Sequence, residues 1–550
     1  MWHQAFFILY FGLLSAVGGD KDSTASLDEW SGWGANYYNN RWASGNTAVS
    51  SSSITSLAPY CKIPYPVGVS ATPVVSGDIV FYPTWNGSFV ALDYTTCQVL
   101  WQINVFDIIS SYAPITELQR NYSKAVSRTS PQLDKEVLYL GTITHALIVA
   151  VNRFTGATLG IIQINPHPLA SVTMSPTLYN GILLVGASST EEDADALPGY
   201  TCCSFVGNFL AMTFDSSNGK FKVLWNVSII PEIGWSGAGV WGSQPSIDPS
   251  HGQVFIATGN TYSIPEVIVE CQKATQNITA VAEGLVPDPC LPRDIWQEAV
   301  LAIDIKFGIV NWVFHLSPLD AFTVACESPT NKAACPETPG LDVDFGMAPV
   351  FVPGSDSTPY QKDTVVVGQK NGNLYAMSAQ VGKLFWATPT SPGAPTGDLS
   401  WGIAVDDGRV YFTVINIVDY TFTLEPSGQA TNRSAHGAAS LSNGTLLWEV
   451  PTPGAGGVAY GPPTVVGDIV LVSKTGSDPN GTLSFDSTVG SLLAFEKRTG
   501  KLVASFVLDG NFHGGVAVQG QSVLFGTGYN NLFNVPNPTG GSFHVMRVGT

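Results

Sequence analysis

One phrase, repeated along almost the whole chain, limits what it can fold into. An apolar stretch reads into an acidic or polar turn, and a second stretch then carries an aromatic residue a few positions on. The clearest copies are Val90-Ala-Leu-Asp-Tyr-Thr-Thr-Cys-Gln-Val-Leu-Trp101, Leu301-Ala-Ile-Asp-Ile-Lys-Phe-Gly-Ile-Val-Asn-Trp312 and Tyr375-Ala-Met-Ser-Ala-Gln-Val-Gly-Lys-Leu-Phe-Trp386. Val149-Ala-Val-Asn-Arg-Phe-Thr-Gly-Ala-Thr-Leu-Gly160 has the same frame with glycine in place of the aromatic, and degenerate copies end at Trp225, Trp448 and Ala504. Each copy reads as a β-hairpin whose second strand lays a side chain against the next unit. A single unit of this kind cannot bury both faces, whereas a ring of them can.

The seven copies therefore predict a closed all-β propeller. An eighth blade would form where the C-terminal strand Ser542-Phe-His-Val-Met-Arg547 joins early strands near Ile63. The expected architecture is a single eight-bladed β-propeller over residues 28–550, with the long connections at 103–125 and 265–298 as lids or staples. Two stacked β domains would need a linker, and no Pro/Ser/Gly-rich break interrupts the repeat. Composition agrees. Only 12% of the 550 residues are charged, while 56 glycines, 36 prolines and 14 tryptophans favour short strands and tight turns. The net charge of −18, with no basic run, argues against nucleic acid and anionic membranes as partners.

Residues 1–19 contain the apolar run Ala5-Phe-Phe-Ile-Leu-Tyr-Phe-Gly-Leu-Leu, closed by small residues. The run is too short to span a bilayer and reads as a cleaved signal peptide, although its start carries no Lys or Arg. Eight cysteines follow it: Cys61, Cys97, Cys202, Cys203, Cys271, Cys290, Cys326 and Cys335. In an exported chain an even count predicts disulfides. Proximity favours Cys271–Cys290 and Cys326–Cys335, and leaves Cys202 and Cys203 either vicinal or split between other partners. Neither c-type haem attachment nor zinc spacing is present. Sequons at Asn86, Asn121, Asn226, Asn277, Asn432, Asn443 and Asn480 are candidate glycosylation sites.

Short segments in chain order carry a resemblance. They are Val69-Ser-Ala-Thr-Pro73, Ser127-Arg-Thr-Ser-Pro131, Gly186-Ala-Ser-Ser-Thr-Glu191, the Cys202-Cys203 pair, Val240-Trp-Gly242, Thr258-Gly-Asn260, Asp342-Val-Asp-Phe-Gly346 and Gln369-Lys-Asn-Gly372. Together they resemble the pyrroloquinoline quinone (PQQ) alcohol dehydrogenases, in particular the soluble polyvinyl-alcohol-dehydrogenase-like branch. The aromatic phrase is similar to the tryptophan-docking repeat of that family. The resemblance implies an exported enzyme that oxidises an alcohol with PQQ and Ca²⁺ and hands electrons to an external acceptor. Trp241 would stack under the quinone, while Glu191, Asn260 and Asp344 would meet the calcium ion. Asp344 would take the alcohol proton, Arg128 and Lys370 would pair with anionic groups of the cofactor, and Lys370 would serve the reaction beside Asp344. Thr173 and Ser175 would bond the cofactor rim, and Cys202-Cys203 would pack over its other face.

Each residue also has a structural alternative. Glu191 begins an acidic loop that solvent alone would explain, Arg128 and Lys370 could be ordinary ion-pair partners, and Asp344 could cap a turn. Two other function classes stay open. A propeller of this type could run a cofactor-independent hetero-Diels–Alder reaction, as in secreted fungal enzymes that join a tropolone quinone methide to a humulene-type sesquiterpene. It could also be a non-catalytic binding module.

Overall fold

The computed structural model describes residues 29–549, apart from 232, 276–288, 316–317, 329–330, 394–396, 455–457, 477–488 and 530–539. Eight four-stranded antiparallel blades follow one another around an axis. Blade one runs Val74–Ser76, Ile79–Pro83, Ser88–Asp93 and Gln98–Asn104. Later blades begin, at the axis, with Gln132–Leu133, Thr177–Tyr179, Ser246–Asp248, Val350–Val352, Ala404–Val405, Thr464–Val466 and Ala517–Gln519. The eighth is completed by the other end of the chain: Ala58–Tyr65 pairs antiparallel with Gly541–Arg547, placing Ile63 opposite Phe543. Closure removes the free edges that an open arc would expose.

The repeated phrase maps onto the last two strands of each blade. Ala91, Ala211, Ala302, Ala376 and Ala438 stand directly opposite Trp101, Trp225, Trp312, Trp386 and Trp448, with a register shift immediately beside each pair. The small alanine and the bulge turn the indole out toward the next blade. There each indole N–H donates to a main-chain carbonyl: Trp101 to Arg153, Trp225 to Ile305, Trp312 to Ala379, Trp386 to Leu441 and Trp448 to Lys497, at 2.8–3.1 Å. The receiving turn carries a glycine in the left-handed region, such as Gly382 (φ 66°), where an added Cβ would lie 2.5 Å from the Trp312 ring. At Gly160 the indole is replaced by direct backbone approach, since a Cβ there would meet Gly219 O at 2.5 Å.

One element was not anticipated. The segment after Glu29 crosses the axis and seals one end of the ring. The amides of Ile247, Phe351, Val405 and Val465, on the innermost strands of blades four to seven, donate to the carbonyls of Tyr37, Tyr38, Asn40 and Arg41 at 2.8–3.1 Å. Arg41 is fully buried in this plug. Its guanidinium donates to Pro463 O (2.8 Å), Thr464 Oγ1 (2.9 Å), Val516 O (3.2 Å), Thr72 Oγ1 (3.3 Å) and Trp33 O, beneath the rings of Trp30 and Trp33.

All eight cysteines are paired. Cys271–Cys290 and Cys326–Cys335 match the expected staples, and Cys202–Cys203 are vicinal. Cys61–Cys97 fastens the closing strand to blade one. The long connections hold short helices, Val105–Tyr112, Glu117–Tyr122 and Glu266–Thr275. Sequons Asn86, Asn121, Asn226, Asn432 and Asn443 are exposed, while Asn277, Asn480 and the signal-like residues 1–19 lie outside the described residues. Among the described residues no helix is long and apolar enough to cross a membrane.

Candidate active site

The blades converge on an axial cavity of about 270 Å³. Its walls come largely from one register: the residue a few positions ahead of each innermost strand. That position supplies Ser70, Arg128, Thr173, Trp241, Trp401, Tyr460 and His513, while Trp33 enters from the plug and Tyr529 from blade eight. In blades four to eight the register reads aromatic–glycine: Trp241-Gly, Phe345-Gly, Trp401-Gly, Tyr460-Gly and His513-Gly. The glycine is demanded by convergence, since a Cβ on Gly242 would lie 2.3 Å from Gly346 O and one on Gly402 2.3 Å from the Trp33 ring. This dipeptide was the signal available for Trp401, Tyr460 and His513, which the motif comparison did not identify.

Four of the residues expected at the site line the cavity: Arg128, Thr173, Ser175 and Trp241. Thr173 hydroxyl donates to Trp241 O at 3.1 Å, and Ser175 Oγ accepts from Ser130 N–H at 3.0 Å. Trp241 and Trp401 meet edge to face, with ring centroids 5.6 Å apart. The Arg128 guanidinium lies 5.5 Å from the Trp401 ring, and burial lowers its pKa from the ordinary value. Among the described residues Arg128 makes no hydrogen bond or ion pair. Arg128 is half-buried, and a guanidinium facing the cavity with neither hydrogen bond nor ion pair is free to donate to an acceptor that enters it.

Behind Trp241 lies a polar node. Asp344 Oδ2 accepts from the Trp241 indole N–H at 3.0 Å and stands 3.5 Å from Lys370 Nζ, while Oδ1 accepts from Asn260 N–H at 2.6 Å. Lys370 also pairs with Asp342 at 2.7 Å. Burial works against the Lys370 ammonium, but Asp342, Asp344 and Glu192 outweigh it and hold its pKa above the ordinary value. Burial raises Asp342 and Glu192 well above the carboxylate range and pushes Asp193 up to about 7. The structure thus gathers Trp241, Asn260, Asp344 and Lys370, as expected, but the last three sit behind the Trp241 wall rather than in the cavity lining.

Glu191 departs from expectation. It is fully buried; Oε1 accepts from Tyr200 OH (2.8 Å) and Ser204 N–H (3.0 Å), and Oε2 from Ser204 N–H (3.0 Å) and Phe205 N–H (2.8 Å). A carboxylate offers about four acceptor directions, and here all are used. Its role is to fold the 191–205 loop, and neither a metal-ligand nor a solvated-loop reading describes it. Cys202 and Cys203 belong to that loop and are absent from the cavity wall. Calcium takes about six to eight oxygen ligands at ~2.3–2.6 Å. The expected set of Glu191, Asn260 and Asp344 is not assembled for that, because Glu191 is saturated and Asp344 is shared among an indole, an amide and an ammonium. Among the described residues the His/Cys/Asp/Glu atoms that do converge are those of Asp248, His251 and Asp363, outside the cavity lining. The acid-rich surroundings of Lys370 are also a poor counterpart for a polyanionic quinone, leaving Arg128 as the cation among the described residues of the wall.

Fold and cavity together define an eight-bladed β-propeller with an axial pocket lined mainly by aromatic rings. The chain is 27% identical over 441 residues to a polyvinylalcohol dehydrogenase from Pseudomonas sp, covering 78% of this chain and 60% of that protein. It is 26% identical over 449 residues to a polyvinylalcohol dehydrogenase from Sphingopyxis sp. (strain 113P3), covering 77% and 59%. The chain therefore spans about 60% of the length of these curated relatives. No family model matches. A quinohemoprotein alcohol dehydrogenase from Pseudomonas putida HK5 superimposes with a TM-score of 0.67 at 15% identity, covering 95% of this chain and 80% of that one. The chain shares the eight-bladed propeller fold of the PQQ alcohol dehydrogenases and is similar in sequence to polyvinylalcohol dehydrogenases.

Proposed function

We propose that this chain is an exported propeller enzyme that holds a flat, oxygen-bearing organic substrate in its axial cavity and polarises the substrate carbonyl with Arg128, without a metal or quinone cofactor. The observation that carries this is the Arg128 guanidinium, without a hydrogen bond or ion pair among the described residues, in a wall of aromatic rings and a few hydroxyls. A fixed donor among aromatic rings is worth more to a developing oxyanion than one in bulk water. Trp241 and Trp401 restrict the orientation of a planar guest, and Asp344, through its bond to the indole N–H, fixes Trp241.

The reaction class that needs only this is a hetero-Diels–Alder addition. Arg128 withdraws electron density from the enone oxygen of a quinone methide, and the apolar wall presses an alkene partner, such as a humulene-type sesquiterpene, against it. Orientation and a single electrostatic donor together supply the lowering of the barrier. The direct test is incubation with a tropolone-derived quinone methide precursor and α-humulene in the presence of chelator. A single stereoisomeric adduct formed faster than without protein is expected; a racemic product at the background rate would reject the reading.

A second reading, alcohol oxidation with PQQ, Ca²⁺ and an external electron acceptor, is favoured by the names of the relatives and by the Trp241–Asp344–Lys370 node. It requires Glu191 to exchange its hydrogen bonds to Tyr200, Ser204 and Phe205 for a metal. Export rests on residues 1–19 and the paired cysteines, and the N-terminal sequence of the secreted protein tests it.

A further inference from the structure

Away from the axial cavity, one cluster of side chains has no part in the proposed chemistry. It lies on the seam between blades four and five. Asp248 ends the innermost strand of blade four, and Ser250 and His251 form the turn to the next strand, Gln253–Ala257. Asp363 stands just ahead of Thr364–Gly368, the second strand of blade five. The seam is well tied at this point. Gln253 Nε2 and the Trp312 indole N–H both donate to Ala379 O, at 2.8 and 2.9 Å, and Ala379 N–H donates to Asp363 O at 3.0 Å.

The two carboxylates divide their oxygens in the same way. Asp248 Oδ1 holds the turn, accepting from Ser250 N–H (2.9 Å), the Ser250 hydroxyl (2.5 Å) and His251 N–H (3.1 Å). Asp363 Oδ1 accepts from Gly354 N–H at 2.7 Å. The second oxygen of each faces one imidazole nitrogen: His251 Nδ1 lies 2.7 Å from Asp248 Oδ2 and 3.9 Å from Asp363 Oδ2, with Ser250 Oγ at 2.9 Å. That nitrogen carries at most one proton, which serves one oxygen at a time. The turn needs only Oδ1 of Asp248, so it explains neither the imidazole nor a second carboxylate arriving from the next blade. Glu191 offers no such opening, because main-chain amides occupy its oxygens. At Asp248 Oδ2 the close donor is the imidazole proton, which a metal replaces, while Gln253 Nε2 stands off at 3.3 Å.

We propose that Asp248, His251 and Asp363 form a zinc-binding clasp that ties blade four to blade five. Their three ligand atoms lie within 4.8 Å of one another. One imidazole and two carboxylates suit Zn²⁺, which binds such ligands at ~2.0–2.2 Å, whereas Ca²⁺ takes about six to eight oxygens. Tetrahedral bonds of that length set the donors roughly 3.3–3.5 Å apart, so Asp248 Oδ2 withdraws slightly and Asp363 Oδ2 approaches. The Asp248 side chain is fully buried, while those of Asp363 and His251 are 31% and 41% exposed. The site therefore has a fixed floor and an open side where water completes the zinc shell. None of the three residues lines the axial cavity, so the clasp stiffens the ring without entering the reaction.

The test is calorimetric titration of the chelator-stripped, untagged full chain with zinc sulfate, paired with denaturation midpoints with and without zinc. The native chain should bind one equivalent of zinc and unfold at a higher midpoint when zinc is present. His251→Ala should abolish both effects. Asp363→Asn, which can keep the bond from Gly354, should weaken binding by at least about tenfold, the lower end of what even an outer-shell change costs. Both positions are partly exposed, so the zinc-free midpoints of the variants should stay near the native one. No zinc binding by the native chain, or binding and midpoint shift unchanged in both variants, would overturn the proposal and leave an Asp248–His251 pair that only shapes the turn.

Discussion

Arg128→Leu should lower the rate of adduct formation by about 10²–10³-fold, the usual cost of removing one preorganised donor from a developing oxyanion. The same substitution should leave stability unchanged or slightly improved. Arg128 is half-buried and has no hydrogen bond or ion pair among the described residues, so its removal orphans no partner. Arg128→Lys keeps the charge but not the planar fork and should fall between the two. Single-turnover rates and denaturation midpoints, measured side by side, separate these effects. A large loss of stability in Arg128→Leu would show that the guanidinium is a structural group after all.

Arg41→Leu should do the reverse. Arg41 is as buried as any charge in the chain, but five carbonyl and hydroxyl oxygens accept from it. Burial pulls its pKa down to about 9, and it remains charged near pH 7. Removing it strands those acceptors and loosens the plug that ties the innermost strands of blades four to seven together. Each buried acceptor left unsatisfied costs about 1–3 kcal/mol, visible as a drop in the denaturation midpoint. Because Trp33 contributes to both the Arg41 environment and the cavity wall, ligand binding should weaken along with stability. An Arg41→Leu variant with native stability would mean that the plug does not hold the ring together.

The two arginines show why the sequence revealed the fold more fully than the site. The propeller was legible because its glue is local and repeated: an alanine, an acidic turn and an indole at fixed spacing, each copy docking on the next. Blade closure was legible too, since the C-terminal end supplies three strands and the early strand Ala58–Tyr65 the missing fourth. The plug was not, because its bonds run from main-chain carbonyls to the innermost strands of blades four to seven and demand little of the side chains. Within the site, Trp241, Arg128, Thr173 and Ser175 stood out through their motifs and do line the cavity. Asn260, Asp344 and Lys370 were grouped correctly but stand one layer behind. Glu191 and Cys202-Cys203 matched a motif whose geometry here serves a loop. Trp401, Tyr460 and His513 escaped notice because an aromatic–glycine pair is unremarkable by itself; it becomes informative only when the blades are aligned and the pair recurs at one register around the axis.

The measurement that bears most directly on the proposed mechanism is the metal and quinone content of the secreted protein, taken together with its activity after exhaustive chelation. Calcium well below one equivalent, no quinone absorption after incubation with PQQ and Ca²⁺, and undiminished formation of a single adduct in chelator are the predicted results. One equivalent each of calcium and PQQ, with dye-linked alcohol oxidation that chelation abolishes and Asp344→Asn eliminates, would contradict it.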